Sequence, residues 1–424
     1  MDYERFFNTI SASRNPAPTR ILSNILANSK EKLICLYQGS PNPESYPFVE
    51  MTAKTSDGTE IKISGKGMNT ALQYNQTPGI PDLIRTLKEF TTKTHNLTEN
   101  FWNIYDLQIT NGSQDGLCKT AEMFLEQGTS ILVPEIAYAG FLAMVKPYHP
   151  NMITIQSDDD GMIPEKLKEV LESSWKPSDV DTDPSYPKFL YLNPTGANPT
   201  GINLIEERRH EIYDICAKYK ILILDDDPYY FIQFHKERIA SFLSMDTVGI
   251  VMRFESFSKI LSAGMRVGFV IGPKPLMYRL GLHTQISTIH ASTIAQVMVS
   301  ELFKIWGYPG LMKQVEKIER LYRDRRDFTV RAAEKYLTGL CTWKIPDGGL
   351  FLWVKVLGIE DTEEMIMVRA VEKKVLMLSG NHYYPDSSQK SPYARISFSV
   401  APLEDIETGI RFFAEMIKEE MQRK

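Results

Sequence analysis

Five short clusters carry residue types that could do chemistry. The first is Ser256-Phe257-Ser258-Lys259, followed by Gly264 and by Arg266-Val267-Gly268. Two hydroxyls, an amine and a guanidinium within eleven residues, at the end of an apolar run, could surround a phosphate dianion. The amine could also form a Schiff base with a carbonyl; the plain alternative is a solvated lysine at a strand end. The second cluster is Asp225-Asp226-Asp227-Pro228-Tyr229-Tyr230, directly after Ile221-Leu222-Ile223-Leu224. Acids on an apolar strand are costly to bury and then need a cationic partner; alternatively all three face water where the strand ends. The third, Asn198-Pro199-Thr200-Gly201, sits in the turn-rich stretch 193–201 and reads as a turn between a strand and a helix. The fourth is Asn111-Gly112-Ser113-Gln114. There a helix N-terminus could offer free N–H groups to an anion, with Ser113 as cap, or be a plain N-cap. The fifth is Arg395, in an otherwise apolar strand pattern. A carboxylate is its best bidentate partner, whether from a ligand or from the protein itself.

Elements must hold these residues, and the pattern supplies them. From about residue 80 to 275 the chain alternates: helix 81–95, strand 107–110, helix 114–125, strand 130–133, then a helix from Tyr138. A strand at 152–155, a helix from Pro164, a strand at 188–192 and a helix at 204–219 continue it. In that last helix Ile205, Ile212, Ile215, Cys216 and Tyr219 share a face. Strands at 221–224, 250–253 and 267–271 follow closely. Short apolar strands alternating with amphipathic helices predict an α/β fold with a mostly parallel seven-stranded sheet sandwiched by helices. Ligands in such sheets sit at the carboxyl ends of the strands. After about residue 300 the texture becomes α+β: a charged helix at 310–336, an apolar stretch at 343–356, a helix near 362–371, a strand at 395–398 and a closing helix. The polar, Pro-rich 176–187 reads as a surface insertion.

Composition narrows the classes. With 424 residues, 43% hydrophobic and 24% charged, the chain is neither disordered, nor collagen-like, nor coiled coil. The net charge of −5 gives no general reason to expect nucleic acid or an anionic membrane as partner. Cys35, Cys118, Cys216 and Cys341 form no C-x-x-C pair and the histidines no metal spacing, so a disulfide framework or metal site is not expected. No uncharged apolar run approaches bilayer length. Residues 6–30 lack acids and hold Arg14 and Arg20, which suits either a transit peptide or a basic arm of the folded protein. The expected location is the cytoplasm, with the mitochondrion as the alternative.

Taken together, the clusters supply what pyridoxal 5′-phosphate requires: an amine for the aldehyde, an anion for the ring nitrogen, hydroxyls and Arg for the phosphate, and an Arg for a carboxylate. The chain resembles the class I/II aminotransferases of the fold-type I pyridoxal-phosphate family. The likeness runs through "LQYNQTPGIPDL", "TNGSQDGL", "NPTGANPTG", "DDDPYYFIQF", "SFSKILSAGMRVGF" and "SPYARISFS", and is strongest to the branch acting on kynurenine and 2-aminoadipate. It implies that Lys259 holds the cofactor covalently and later moves the α-proton, that Asp226 pairs with the ring nitrogen, and that Tyr138 stacks on the ring. Tyr229 and Asn198 would bond the ring oxygen. Ser113, Gln114, Ser256, Ser258 and Arg266 would bind the phosphate. Arg395, with Gly39 nearby, would grip the α-carboxylate. Arg20 would help bind the substrate side chain, and Tyr74 would reach the phosphate of a neighbouring subunit, so a homodimer with shared active sites is implied.

The expected domains are an N-terminal arm with part of the small domain at 1–45, a large cofactor-binding domain at 46–300 and a small domain at 301–424. Departures from the family pattern are Tyr37 and Gln38 before Gly39, Ser40 after it, and Ile136 in place of a Pro. The expected reaction moves the amino group of an L-amino acid (kynurenine, 2-aminoadipate, aromatic or similar) to a 2-oxo acid such as 2-oxoglutarate. A cysteine-conjugate β-lyase is the rival within the enzymes. A cofactor-sensing regulator is disfavoured because fewer than 40 residues, too few for a helix-turn-helix domain, precede "GSPNPESYPF", where the likeness to the family is already present.

Overall fold

The computed structural model describes residues Met1–Arg423, and the chain divides into two compact units: residues 1–126 with 246–313, and residues 127–245 with 314–424. Seven strands belong to one mixed sheet, the number the alternation predicted, and each unit holds its own part of it.

In the first unit Tyr105–Thr110, Gly268–Pro273 and Val251–Ser256 lie side by side, with Phe269 opposite Ile109 and Val270 opposite Phe254. Gly268–Pro273 runs against both neighbours, so the sheet is mixed rather than wholly parallel. The link 257–267 has no room for the crossover that a parallel neighbour needs. The helix Ser113–Phe124 packs on these strands, with Gly116 close against Val270 and Phe254. The helix Pro81–Thr94 buries Leu83, Leu87 and Phe90 at the spacing of one helical face. Phe90 meets Phe303 at 5.2 Å between ring centroids.

The N-terminal arm joins this unit. Asn8 caps the short helix Thr9–Ser13 by accepting from Ser11 N, and its amide donates to the carbonyls of Glu122 (2.8 Å) and Leu125 (2.7 Å). Phe6 is fully buried and the Tyr3 hydroxyl donates to Gly249 O. The early part of the acid-free segment is thus a packed piece of the fold. Reading the sequence missed the hairpin Glu50–Lys54 with Glu60–Ser64, although the Ser56-Asp57-Gly58 turn between alternating residues was its signal. It also missed the helix Lys274–Ser287 and, in the arm, the helix Pro18–Asn28.

In the second unit Leu222–Asp226, Phe189–Leu192, Ser130–Pro134 and Asn151–Ile155 run parallel in that order. The first two are buried along their whole length, as parallel strands covered on both faces should be. Helices Pro164–Ser174 and Glu206–Lys218 pack together beside them. A separate antiparallel sheet joins Cys341–Trp343, Phe351–Val356, Tyr393–Ser397 and Leu378–Ser379 in that order. It shares a core with the closing helix Leu403–Arg423 through Ile406, Ile410, Phe413 and Ile417. The expected helix near 362–371 appears as two consecutive helical pieces, Met365–Arg369 and Ala370–Glu372.

The charged helix expected at 310–336 belongs to a longer one, Thr293–Leu337, broken at Gly307, whose φ of 57° is not helical. Pro309 follows at once, which is why the sequence reads a fresh start at Gly310. Among the described residues no helix is long and apolar enough to cross a membrane, and no His/Cys/Asp/Glu group could hold a metal ion.

Candidate active site

The first unit carries an anion cradle and an amine. Where Tyr105–Thr110 ends, Gly112 adopts φ 83°, a left-handed conformation that turns the chain into the helix Ser113–Phe124. Gly112, not Ser113, is therefore the N-cap; Ser113 is the first helical residue, and no side chain caps this end. A helix start without a side-chain cap can offer N–H groups to an anion. The Arg266 guanidinium covers the Gly112 position so closely that a Cβ there would collide with it. Arg266 Nη2 donates to Asn111 O at 3.0 Å, and Nη1 donates to Ser258 Oγ at 3.2 Å. Ser256 Oγ in turn accepts from Ser258 N at 3.2 Å. A Cβ on Gly268 would lie 2.8 Å from Ser113 N, so this glycine lets the strand approach the helix start. Ser113, Ser256, Ser258 and Arg266 are thereby brought together.

Lys259 stands beside them, half-buried. Burial, and secondly the charge of Arg266, lower its amine below the usual lysine range. It is not the fully solvated lysine of the plain reading. Gln114 follows Ser113 in the first helical turn, near Cys118. Behind the cradle, Glu255 is buried against Arg253 (Nε to Oε1, 2.6 Å) and His95 (3.5 Å). Burial opposes its charge, yet Arg253 and His95 together outweigh burial and hold the carboxyl below its ordinary range.

The arm residues form a second group in this unit. Arg20 Nη1 donates to Asn75 O at 3.3 Å; burial lowers its titration, opposed by nearby Tyr37 and Tyr74. Tyr37 donates to Ser23 Oγ, and Gln38 to the Tyr37 hydroxyl. Tyr74 is 55% exposed with its edge towards His290, and space is open around Gly39.

The second unit carries a buried carboxylate and a guanidinium. Asp225, Asp226 and Asp227 are all buried, which overturns the reading in which they face water. The Tyr191 hydroxyl donates to Asp226 Oδ2 at 2.7 Å, and Thr195 Oγ1 donates to Asp227 Oδ2 at 3.0 Å. The loop after Leu192 is tied by side chains. Asn193 Nδ2 donates to Asp226 O, Asn198 N donates to Asn193 Oδ1, and Gly196 N donates to Asn203 Oδ1, each at 2.7 Å. Arg209, fully buried, donates to the carbonyls of Leu204, Ala240 and Pro194 and to Thr195 Oγ1. The Asn198–Pro199 peptide is cis.

Arg395 Nη1 donates to Asn198 Oδ1 at 2.9 Å, and the guanidinium carbon lies 4.2 Å from the centre of the Phe351 ring. Tyr229 meets Phe351 edge-on. Burial first, then Tyr138 and Asp226, raise the Tyr229 phenol far above its usual range, with Arg395 opposing. Tyr138 caps the helix Ala139–Val145 with its carbonyl and lines a cavity of about 400 Å³ together with Asn198. Asp226, Asn198, Tyr229, Tyr138 and Arg395 are thus gathered in one unit. Sequence reading missed Tyr191, Arg209 and Phe351, which look like ordinary strand and helix residues. Only burial reveals them.

The "Aminotransferase class I and II" family profile matches residues 54–413. The chain belongs to that family. The "Kynurenine/alpha-aminoadipate aminotransferase, mitochondrial" of Bos taurus is 43% identical over 426 residues, covering 99% of this chain and all of the bovine protein. Among solved structures, the aminotransferase Aro8 of Candida albicans gives a TM-score of 0.86 at 26% identity, covering 99% of this chain and 98% of that one. The kynurenine aminotransferase of Pyrococcus horikoshii, solved with PMP, gives 0.76 at 28% identity, covering 99% and 98%. The protein is accordingly a transaminase that uses pyridoxal 5′-phosphate. Its own residues fit that cofactor: an anion cradle that a Cβ would fill, a half-buried amine of lowered basicity, and a buried carboxylate.

Proposed function

We propose that this aminotransferase takes the amino group of 2-aminoadipate, kynurenine or a similar aromatic L-amino acid and passes it to a 2-oxo acid such as 2-oxoglutarate. The observation that carries an α-amino acid donor is Arg395 over Phe351, tied to Asn198 by one nitrogen: a fork for a carboxylate. The choice among donors rests on the full-length likeness to the bovine enzyme.

Bound pyridoxal 5′-phosphate supplies an aldehyde for the amino group and an electron-withdrawing ring. Ser113, Gln114, Ser256, Ser258 and Arg266 would hold its phosphate, a reading supported by the uncapped helix start under Arg266. Lys259 would hold the aldehyde of the cofactor and would move the proton at the substrate Cα. Its lowered basicity leaves more of the amine neutral near pH 7, as a base requires. Asp226 would keep the ring nitrogen protonated, Asn198 and Tyr229 would hold the ring oxygen, and Tyr138 would cover the ring. Arg395 orients the α-carboxylate, with Gly39 leaving room beside it. Arg20 receives the substrate side chain.

Tyr74 serves the phosphate of a second copy, which makes the working form a homodimer; its exposure in the single chain supports this. The functional division remains 1–45, 46–300 and 301–424, supported by the separate core spanning residues 332–417. For the compartment, the names of the mammalian relatives favour the mitochondrion over the cytoplasm, and import of the tagged chain into isolated mitochondria decides.

A panel of amino donors with 2-oxoglutarate tests the reading. Turnover of 2-aminoadipate and kynurenine supports it, and turnover of neither sinks it. Pyruvate released from a cysteine conjugate with no acceptor present would favour the β-lyase.

A further inference from the structure

Beside Asp226 stands a polar group that no motif pointed to. Tyr191, in the strand Phe189–Leu192, is wholly buried, and its ring stacks on Phe141 with centroids 3.6 Å apart and planes within 7°. Its hydroxyl donates to Asp226 Oδ2 at 2.7 Å, while Asn193, two residues on, donates to the main-chain oxygen of Asp226 at 2.7 Å. One strand end thus fixes both the side chain and the backbone of a single aspartate.

We propose that Tyr191 is a positioning residue: its hydroxyl, aimed by Phe141, sets the plane of the Asp226 carboxylate and lowers its affinity for a proton, so that the proton stays on the ring nitrogen of the bound cofactor. This rests on the assignment of Asp226 to that nitrogen. Burial, and next the charge of Asp226, raise the Tyr191 phenol far above its usual range, so it donates and does not ionise. A hydrogen bond from a neutral donor favours the charged form of a carboxylate, whereas burial favours the neutral form. With Asp226 only 3% exposed, losing the donor tips the shared proton from the ring towards the aspartate. A ring without that proton withdraws fewer electrons. The stack on Phe141 needs only the ring, so Phe at 191 would keep the packing and lose only the bond.

The test is ¹⁵N NMR of the holoenzyme loaded with ring-labelled pyridoxal 5′-phosphate, as wild type, as Tyr191→Phe and with 3-fluorotyrosine at 191. The wild-type nitrogen should resonate in the protonated range. Tyr191→Phe should move it towards the unprotonated value, and kcat should fall about tenfold with KM changed by less than about threefold. Fluorotyrosine, a stronger donor, should raise the pH at which the ring nitrogen loses its proton. A Tyr191→Phe resonance coincident with wild type overturns the proposal. An unprotonated nitrogen in the wild type overturns the Asp226 assignment instead. Should Tyr191→Phe fail to fold, fluorotyrosine decides alone, and an unchanged deprotonation pH of the ring nitrogen overturns the proposal.

Discussion

The loop after Thr110 and the loop after Leu192 both end a buried strand in polar residues, yet they are built by opposite means. The first is made of backbone: Gly112 in a left-handed conformation, Gly268 close to Ser113 N, and a helix start with no side-chain cap. The second is made of side chains: Asn193 donates to Asp226 O, Thr195 to the Asp227 carboxylate and Arg209 to Pro194 O, while Asn203 accepts from Gly196 N. Backbone N–H groups recognise an anion by charge and shape alone, which suits a phosphate anchor. A side-chain network fixes individual atoms, which suits a carboxylate that must stay ionised in one orientation. The comparison predicts that damage to the first region weakens cofactor binding and damage to the second weakens turnover.

The largest effect should come from Asp226→Ala, with kcat lowered about a thousandfold while cofactor still co-elutes with the protein on desalting. Loss of cofactor with normal turnover upon resupply would break the comparison. Next, Arg209→Met should cost about 3 kcal/mol in urea unfolding, because the carbonyls of Leu204, Pro194 and the half-buried Ala240 lose their donor. Arg266→Ala should weaken cofactor affinity by about 2 kcal/mol, with kcat at saturating cofactor nearly unchanged. Equilibrium dialysis and steady-state kinetics separate the two.

How much of this the sequence disclosed follows from the same contrast. Backbone devices leave glycine and turn signatures, so Asn111-Gly112-Ser113 and the Ser258–Arg266 stretch were legible as an anion site, apart from which residue caps the helix. The acids at 225–227 were legible only as a cost: burial decides between solvent and site, and burial depends on distant partners. Tyr191 and Arg209 were not legible at all. A tyrosine in an apolar strand and an arginine in an amphipathic helix look the same whether they bond a solvent molecule or a buried group. The hairpin Glu50–Lys54 with Glu60–Ser64 had a turn signal, but its strands are short and half-exposed.

The smallest effect sharpens the first region. Arg253 and His95 hold Glu255 below the ordinary carboxyl range, so its stabilisation is complete above about pH 4.3, the unfolded value, and is lost as pH falls through the lower folded one. Glu255→Gln should flatten that acid limb in thermal melts recorded against pH; an unaltered limb would show that Glu255 does not titrate there.

The central claim is that Lys259 carries the cofactor. Borohydride reduction of the holoenzyme, followed by proteolysis and mass spectrometry, should place the phosphopyridoxyl mass on the peptide bearing Lys259 and on no other lysine. The same mass on a different lysine, or on none, would contradict the account.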